Sequence, residues 1–133
     1  MSSEIKIYKI KDFIRKTESG DVDFDKSIQI IRELSAVAAL HTGHNILIDL
    51  RETTLSFAGM DKVMKIAMEF VQLMSSFKNK IANVVPSDAE RVLMAEKLEA
   101  CMKIKKFPYR FFTDFEDAIE WLSEKKDLNQ QST

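Results

Sequence analysis

Apolar and polar positions along the chain follow two different periods, and their succession predicts an α/β fold. In segment 5–10 apolar residues alternate with lysines, which is typical of a strand with one buried face. A second extended segment over 12–18 ends at the turn signal Ser19-Gly20-Asp21, so the two segments are close enough to pair as a hairpin. Three further apolar runs predict strands at 45–50, 80–85 and 107–112.

Four amphipathic segments, with apolar residues every three or four positions, predict helices. The first covers about 24–41, and Gly43 is placed to end it in a left-handed conformation. The second begins near residue 60. Segments 87–90 and 113–116 have the spacing of capping boxes, which mark the starts of the third and fourth helices.

The order of these elements is β-β-α-β-α-β-α-β-α, which predicts one α/β domain. Alternating strands and helices imply right-handed crossovers and a mostly parallel mixed sheet, to which the opening hairpin adds an antiparallel member. We therefore expect about five strands and four helices. Residues 1–126 are assigned to this domain, and the polar segment 127–133 is predicted to be a disordered or frayed tail.

Composition bounds the class of protein. The 133 residues suffice for one self-supporting core, and 45% hydrophobic with 31% charged residues is typical of a soluble domain. A net charge of −1 favours no nucleic-acid partner. The single cysteine, Cys101, fits a reducing compartment, and the chain shows neither a secretory signal nor a transmembrane run. These features predict a cytoplasmic protein.

The segment that follows the strand at 45–50 is the best candidate for a site. It is polar over 51–59 and leads into the second helix, and ligands of open α/β sheets bind where strand carboxyl ends meet helix amino ends. The candidate binding-loop residues are Asp49, Arg51, Glu52, Thr54, Ser56, Phe57, Ala58 and Gly59. Phe57 would either plug an apolar crevice or contact a partner.

Catalytic chemistry has little support in this sequence. Asp49 and Glu52 are the acid–base candidates at the strand end, but a local cap or salt bridge is the favoured interpretation of Asp49. His41 and His44 lack the further ligands that a zinc site needs. The three glycines are isolated, which excludes a glycine-rich phosphate loop. We therefore expect no enzyme activity, no metal and no cofactor.

The second helix is rich in methionine, which suits both irregular cores and adaptable binding surfaces. Core packing is the expected role of its main stripe, formed by Met60, Val63, Met64, Ala67 and Phe70. Met68 and Phe77 widen the apolar surface beyond that stripe, and their placement stays open. An exposed patch here would be a dimer contact, a partner groove or a ligand site, with Met60, Met64, Met68 and Phe77 as the candidate contacts.

Three segments resemble the STAS domain, the family of sulphate transporters and anti-sigma-factor antagonists. They are Ile46-Leu47-Ile48-Asp49-Leu50, the loop ending in Gly59, and residues 112–122. The resemblance extends over 4–125 in element order, and it points to the small stand-alone bacterial STAS-like or Sec14-like branch. It implies a regulatory role through protein contacts.

In the antagonists of this family, the loop after the third strand carries an Asp-Ser-Ser-Gly motif whose second serine is phosphorylated. The matching stretch here is Ser56-Phe57-Ala58-Gly59. Ala58 occupies the acceptor position and has no hydroxyl, so no phosphorylation is expected there. A neighbouring hydroxyl group is left as an alternative acceptor of the phosphate, and the candidates are Ser56, Thr54 and Thr53.

Two hypotheses about function follow. The preferred one is a non-enzymatic bacterial regulatory module that binds a protein partner through the loop after the third strand and helix two, with a homodimer as an open possibility. The alternative is a carrier or sensor of a small apolar or lipid-like ligand bound beneath helix two. An enzyme that uses Asp49 or Glu52 is the weakest possibility.

Overall fold

A computed structural model describes residues 13–74 and 79–123. Within these residues, four strands alternate with four helices: β1 (Phe13–Val22), α1 (Phe24–Leu40), β2 (Asn45–Leu55), α2 (Met60–Met74), β3 (Ile81–Val84), α3 (Ala89–Ile104), β4 (Tyr109–Phe112) and α4 (Phe115–Leu122). The predicted strand at 5–10, the candidate contact Phe77 and the tail at 127–133 lie outside the described residues. The fifth strand is therefore not shown.

The four described strands form one parallel sheet in the order β1-β2-β3-β4. Right-handed crossovers between sequential parallel strands all pass over the same face of a sheet. Helices α1, α2 and α3 accordingly pack together on one face, and α4 packs on the other. None of the helices in the described ranges is long and apolar enough to cross a membrane.

The sheet separates two apolar cores. On the side of the first three helices, buried side chains of the strands meet those of the helices, among them Ile46, Ile48, Ile81, Ile31, Phe70 and Met102. On the side of α4 the buried cluster is smaller, formed by Leu47, Ala82, Val84, Phe112, Ala118 and Leu122. Successive residues of a strand point to opposite faces of the sheet, so neighbours such as Leu47 and Ile48 are buried in different cores.

The strand predicted at 45–50 is five residues longer in the structure, so residues 51–55 are strand and the prediction of loop over 51–59 is wrong there. β3 pairs with β2 only as far as Asp49, whereas β1 continues alongside to Val22 after an irregularity between Thr17 and Ser19. Thr54 Oγ1 donates a hydrogen bond to Asp21 Oδ1 at 2.9 Å. Residues 51, 52 and 54 of this two-stranded extension are polar and exposed, which is why its sequence resembles a loop.

Three predicted helix ends also differ from the structure, and one of them is the start of α4, where the N-cap is Asp114, one residue after the predicted capping threonine. α1 ends near residue 41 as predicted, with His41 as its C-cap, but Gly43 does not have the positive φ expected of a left-handed cap. The N-cap of α3 is Asp88, one residue after the predicted capping serine, and its carboxylate accepts the backbone N–H of Arg91 at 3.0 Å. Arg91 thereby lies in the first turn of α3.

Candidate functional site

The connection between β2 and α2 consists of residues 56–59, here called the β2–α2 loop. Gly59 has a φ of 104°, a left-handed conformation that side chains disfavour. Its carbonyl accepts the N–H of Val63 at 3.3 Å, so the glycine both turns the chain and starts the helix. The matching glycine of the STAS motif therefore has a conformational role in this chain.

Phe57 of the β2–α2 loop turns inward. Its ring lies edge-on to Phe24, with 5.9 Å between the ring centroids and an angle of 82° between the planes. Ser56 and Ala58 are exposed, and the N–H of Ser56 donates to the carbonyl of Val22 at 3.1 Å. Phe57 thus packs against the core, and a contact between Phe57 and a partner stays a prediction. Phosphorylation of Ser56 stays a prediction.

Asp49 lies on the other face of the sheet, in an ion cluster with two arginines. Its Oδ1 accepts from Arg51 Nε at 2.9 Å, and its Oδ2 accepts from Arg51 Nη2 at 2.8 Å and Arg15 Nη2 at 3.1 Å. Both guanidinium groups stack on the ring of Phe115, with 4.7 Å from Arg15 Cζ and 5.0 Å from Arg51 Cζ to its centroid.

These contacts decide the protonation state of Asp49. The hydrogen bonds from Arg51 lower the pKa of the Asp49 carboxyl below its ordinary value, although burial opposes them. General acid–base catalysis near neutral pH needs the opposite shift. Glu52, the second candidate, is exposed. The local salt bridge expected for Asp49 is confirmed.

Three of the four methionines of α2 face solvent, and the fourth, Met74, is buried. Met60, Met64 and Met68 are 44%, 52% and 57% exposed. The prediction that Met60 and Met64 pack in the core is therefore wrong. The buried residues of α2 are instead Val63, Ile66, Ala67, Phe70 and Met74. Residues 60, 64 and 68 are each separated by four positions, so they form one ridge along the helix.

A cavity of about 80 Å³ lies beneath α2, between the sheet and the helices. Its walls are mostly apolar and include Ile48, Leu55, Phe57, Val63, Ile66 and Phe70. A wider cleft of about 390 Å³ adjoins it, between the β2–α2 loop and α3. Phe57 and Val63 line both spaces, so the cavity and the cleft meet at the loop.

Two buried polar residues that were not among the predicted site residues also line the cavity. Asn83 and Arg91 are only 7% and 8% exposed. Arg91 occupies a position of the inward face of α3, which continues through Ala95, Leu98 and Met102. The sequence contained two signals of these buried polar residues. One is an arginine on the apolar face of a helix, and the other is an asparagine inside an apolar strand.

The guanidinium of Arg91 is held by the extended part of β2. Its Nη1 donates to the carbonyl of Thr53 at 2.7 Å and its Nη2 donates to Thr53 Oγ1 at 3.0 Å. The hydroxyl of Thr53 in turn donates to the carbonyl of Leu50 at 2.6 Å. Burial lowers the pKa of Arg91 below its ordinary value, and the charge of Asp88 opposes this shift.

Asn83 has one satisfied polar atom and one unsatisfied one. Its Nδ2 donates to the Tyr109 hydroxyl at 2.7 Å, and its Oδ1 is buried without a hydrogen-bond partner. Burial raises the pKa of Tyr109, so this phenol stays protonated. In residues 13–74 and 79–123, no three His, Cys, Asp or Glu side chains are grouped so as to hold a metal ion.

Comparison with known proteins identifies the fold. No model of a known protein family and no curated protein matches the sequence. Among solved structures, the chain is similar to an uncharacterized protein of the DUF3478 family with a SpoIIAA-like fold from Shewanella loihica PV-4. The TM-score is 0.50 at 20% identity, over 92% of this chain and 98% of that one. The chain therefore has the SpoIIAA-like, STAS-type fold that the sequence resemblance implied.

Proposed function

We propose that this protein is a non-enzymatic bacterial regulatory module of STAS type that binds a protein partner. The ridge of Met60, Met64 and Met68 is here called the methionine surface. In this proposal the partner contacts the methionine surface and the β2–α2 loop. The observation that carries the proposal is the exposure of these three methionines on one side of α2. A cytoplasmic location belongs to the same proposal.

Exposed methionines are suited to protein contacts because their side chains are flexible and polarizable. Aligned exposed apolar residues are also less common on monomeric surfaces than single ones, and they mark interaction sites. A groove of about 540 Å³ between α1 and α2 continues this surface and is lined by Phe24, Ile28 and Met68. Arg32 Nε and Glu69 Oε2 form a salt bridge of 3.0 Å beside it, which provides a polar rim.

Replacing Met64 with lysine tests the methionine surface. Lysine at this position places a charge at the centre of the ridge, and we expect partner binding to weaken by at least about tenfold, because central apolar contacts dominate interface energies. Affinity capture from an extract of the source organism, followed by titration of each captured protein, measures this effect. Because Phe57 packs inward, its substitution would disturb the fold and is unsuitable for this test.

The matched control for this test is Leu40→Lys, which changes an apolar residue that is 81% exposed at the end of α1. This variant is expected to keep the partners of the unmodified protein. Sedimentation analysis of both variants also tests whether the methionine surface joins two copies of the chain. Unchanged partners and unchanged self-association in Met64→Lys would refute the proposed surface.

The cavity beneath α2 favours a second candidate function, the binding of a small apolar ligand. An engineered cavity of about 150 Å³ accepts benzene, so the cavity volume of about 80 Å³ is suited to a shorter group of about three or four carbon atoms. A larger ligand would extend into the adjoining cleft. In this candidate function the protein is a carrier or sensor.

Native mass spectrometry tests the carrier function. We expect the purified protein to carry an additional small mass that is released on denaturation. The variant Ala95→Leu, which adds volume to a buried residue of the cavity wall, should lack this mass while keeping its helical circular dichroism. An identical mass in both proteins would place any ligand elsewhere, and no additional mass in either would argue against a retained ligand.

A further inference from the structure

We propose that Arg91 anchors the carboxylate of a small amphipathic monocarboxylate, whose short apolar tail enters the cavity beneath α2. This inference rests on the second candidate function and specifies its ligand class. The site lies where the cavity meets the cleft between the β2–α2 loop and α3. Both spaces are lined by Arg91.

The first argument is the incomplete hydrogen bonding of Arg91. A guanidinium has five N–H donors, and its described side-chain contacts use two of them, both on Thr53. Within residues 13–74 and 79–123, no carboxylate forms a salt bridge with Arg91. A buried charge is costly unless it is paired. A ligand carboxylate would accept remaining N–H groups and neutralise this charge.

The second argument is the unpaired amide atom of Asn83, on the wall of the same cavity. Its oxygen and nitrogen exchange places when the amide is rotated by half a turn, and Tyr109 can either accept from the nitrogen or donate to the oxygen. One polar atom of Asn83 is therefore left for another partner in both orientations. A wholly apolar ligand would leave this atom of Asn83 and the remaining N–H groups of Arg91 without a partner, whereas the polar group of an amphipathic ligand can pair with at least one of them.

The third argument concerns the charge of the ligand. The walls of the cleft carry two basic residues, Arg91 and Lys97, and two acidic ones, Asp88 and Glu90. The positive and negative charges of the cleft walls are thus equal in number, and Arg91 is the cation that also lines the apolar cavity. A single negative charge matches a single buried guanidinium. A phosphate monoester would bring close to two charges near neutral pH and meet the acidic rim.

The test uses pentanoate, pentan-1-ol and pentyl phosphate as probes with calorimetry on the full chain. Pentanoate should bind at least about tenfold more tightly than the alcohol of equal length, since a charge-assisted hydrogen bond is lost in the alcohol. In Arg91→Gln, pentanoate affinity should fall by at least about tenfold, while pentanol affinity should change little. Lys97→Gln is the matched control, because it removes one positive charge from the cleft and leaves Arg91 in place.

The outcomes separate this inference from the function on which it rests. Equal binding of pentanoate and pentanol would support the apolar cavity and overturn the carboxylate site. Binding of neither probe would overturn both. Equal losses in Arg91→Gln and Lys97→Gln would show general charge attraction instead of an anchor, and tighter binding of pentyl phosphate would reject the monocarboxylate. The comparison of probes on the unmodified protein remains decisive where Arg91→Gln does not fold.

Discussion

Replacing Asp49 with asparagine is expected to lower the free energy of unfolding by about 1.5–3 kcal/mol at pH 7, the range for hydrogen bonds to a charged group. The carboxylate is buried and accepts from Arg51 and Arg15, so the amide would remove the charge that both guanidinium groups approach. Urea unfolding at pH 7 measures the loss. Glu52→Gln is the matched control, since it neutralises an exposed carboxylate on the same strand and should cost less than about 0.5 kcal/mol.

The pH dependence of this loss has a defined sign. The pKa of Asp49 in the folded protein lies below its ordinary value of 3.8, because Arg51 stabilises the ionised form. The carboxylate therefore contributes its stability above that value, and the contribution is lost as the pH falls through the folded pKa. The difference between the unmodified protein and Asp49→Asn should be constant above about pH 5 and should shrink in acid. A difference that persists unchanged in acid would mean that the charge of Asp49 is not its cause.

Leu47→Ala is expected to have the larger effect, a loss of about 3–5 kcal/mol in the free energy of unfolding. Leu47 is fully buried in the small core beneath α4, in one cluster with Phe112 and Leu122, so the shorter side chain would leave a cavity there. Urea unfolding measures this loss as well. Leu40→Ala is the control, because the same atoms are removed from a side chain that is 81% exposed. Equal losses in the two variants would contradict the buried position of Leu47.

The prediction of the elements from the sequence was most successful where apolar periodicity was strong. The starts of α1 and α2 and the strands at β3 and β4 agree with the structure within a few residues. The extension of β2 over 51–55 was missed because the strand leaves the sheet core there, and its side chains lose the alternation that identifies strands. From the sequence alone, the polar part of β2 beyond the sheet core could not be distinguished from a loop.

Helical periodicity identified the apolar stripe of α2 but not its orientation. The wide stripe contains two faces, and the packing against α1 and α3 buries the one with Ala67 and Phe70 while Met64 remains outside. Only the positions of neighbouring helices decide between these faces. The position of Arg91 on the apolar face of α3 was visible in the sequence, but its hydrogen-bond partner, Thr53, belongs to a distant strand and was not.

The division of the apolar residues between the two faces of the sheet also bears on how the molecule opens. The core beneath α4 is held by a helix of eight residues, whereas three longer helices support one another on the opposite face. Regions with fewer buried contacts open at a lower free energy than the whole domain. Detachment of α4 would uncover Leu47 and Phe112 and leave the packing around the cavity, on the other face of the sheet, unchanged. Local unfolding at α4 and opening of the three-helix face are thus expected to be separate events.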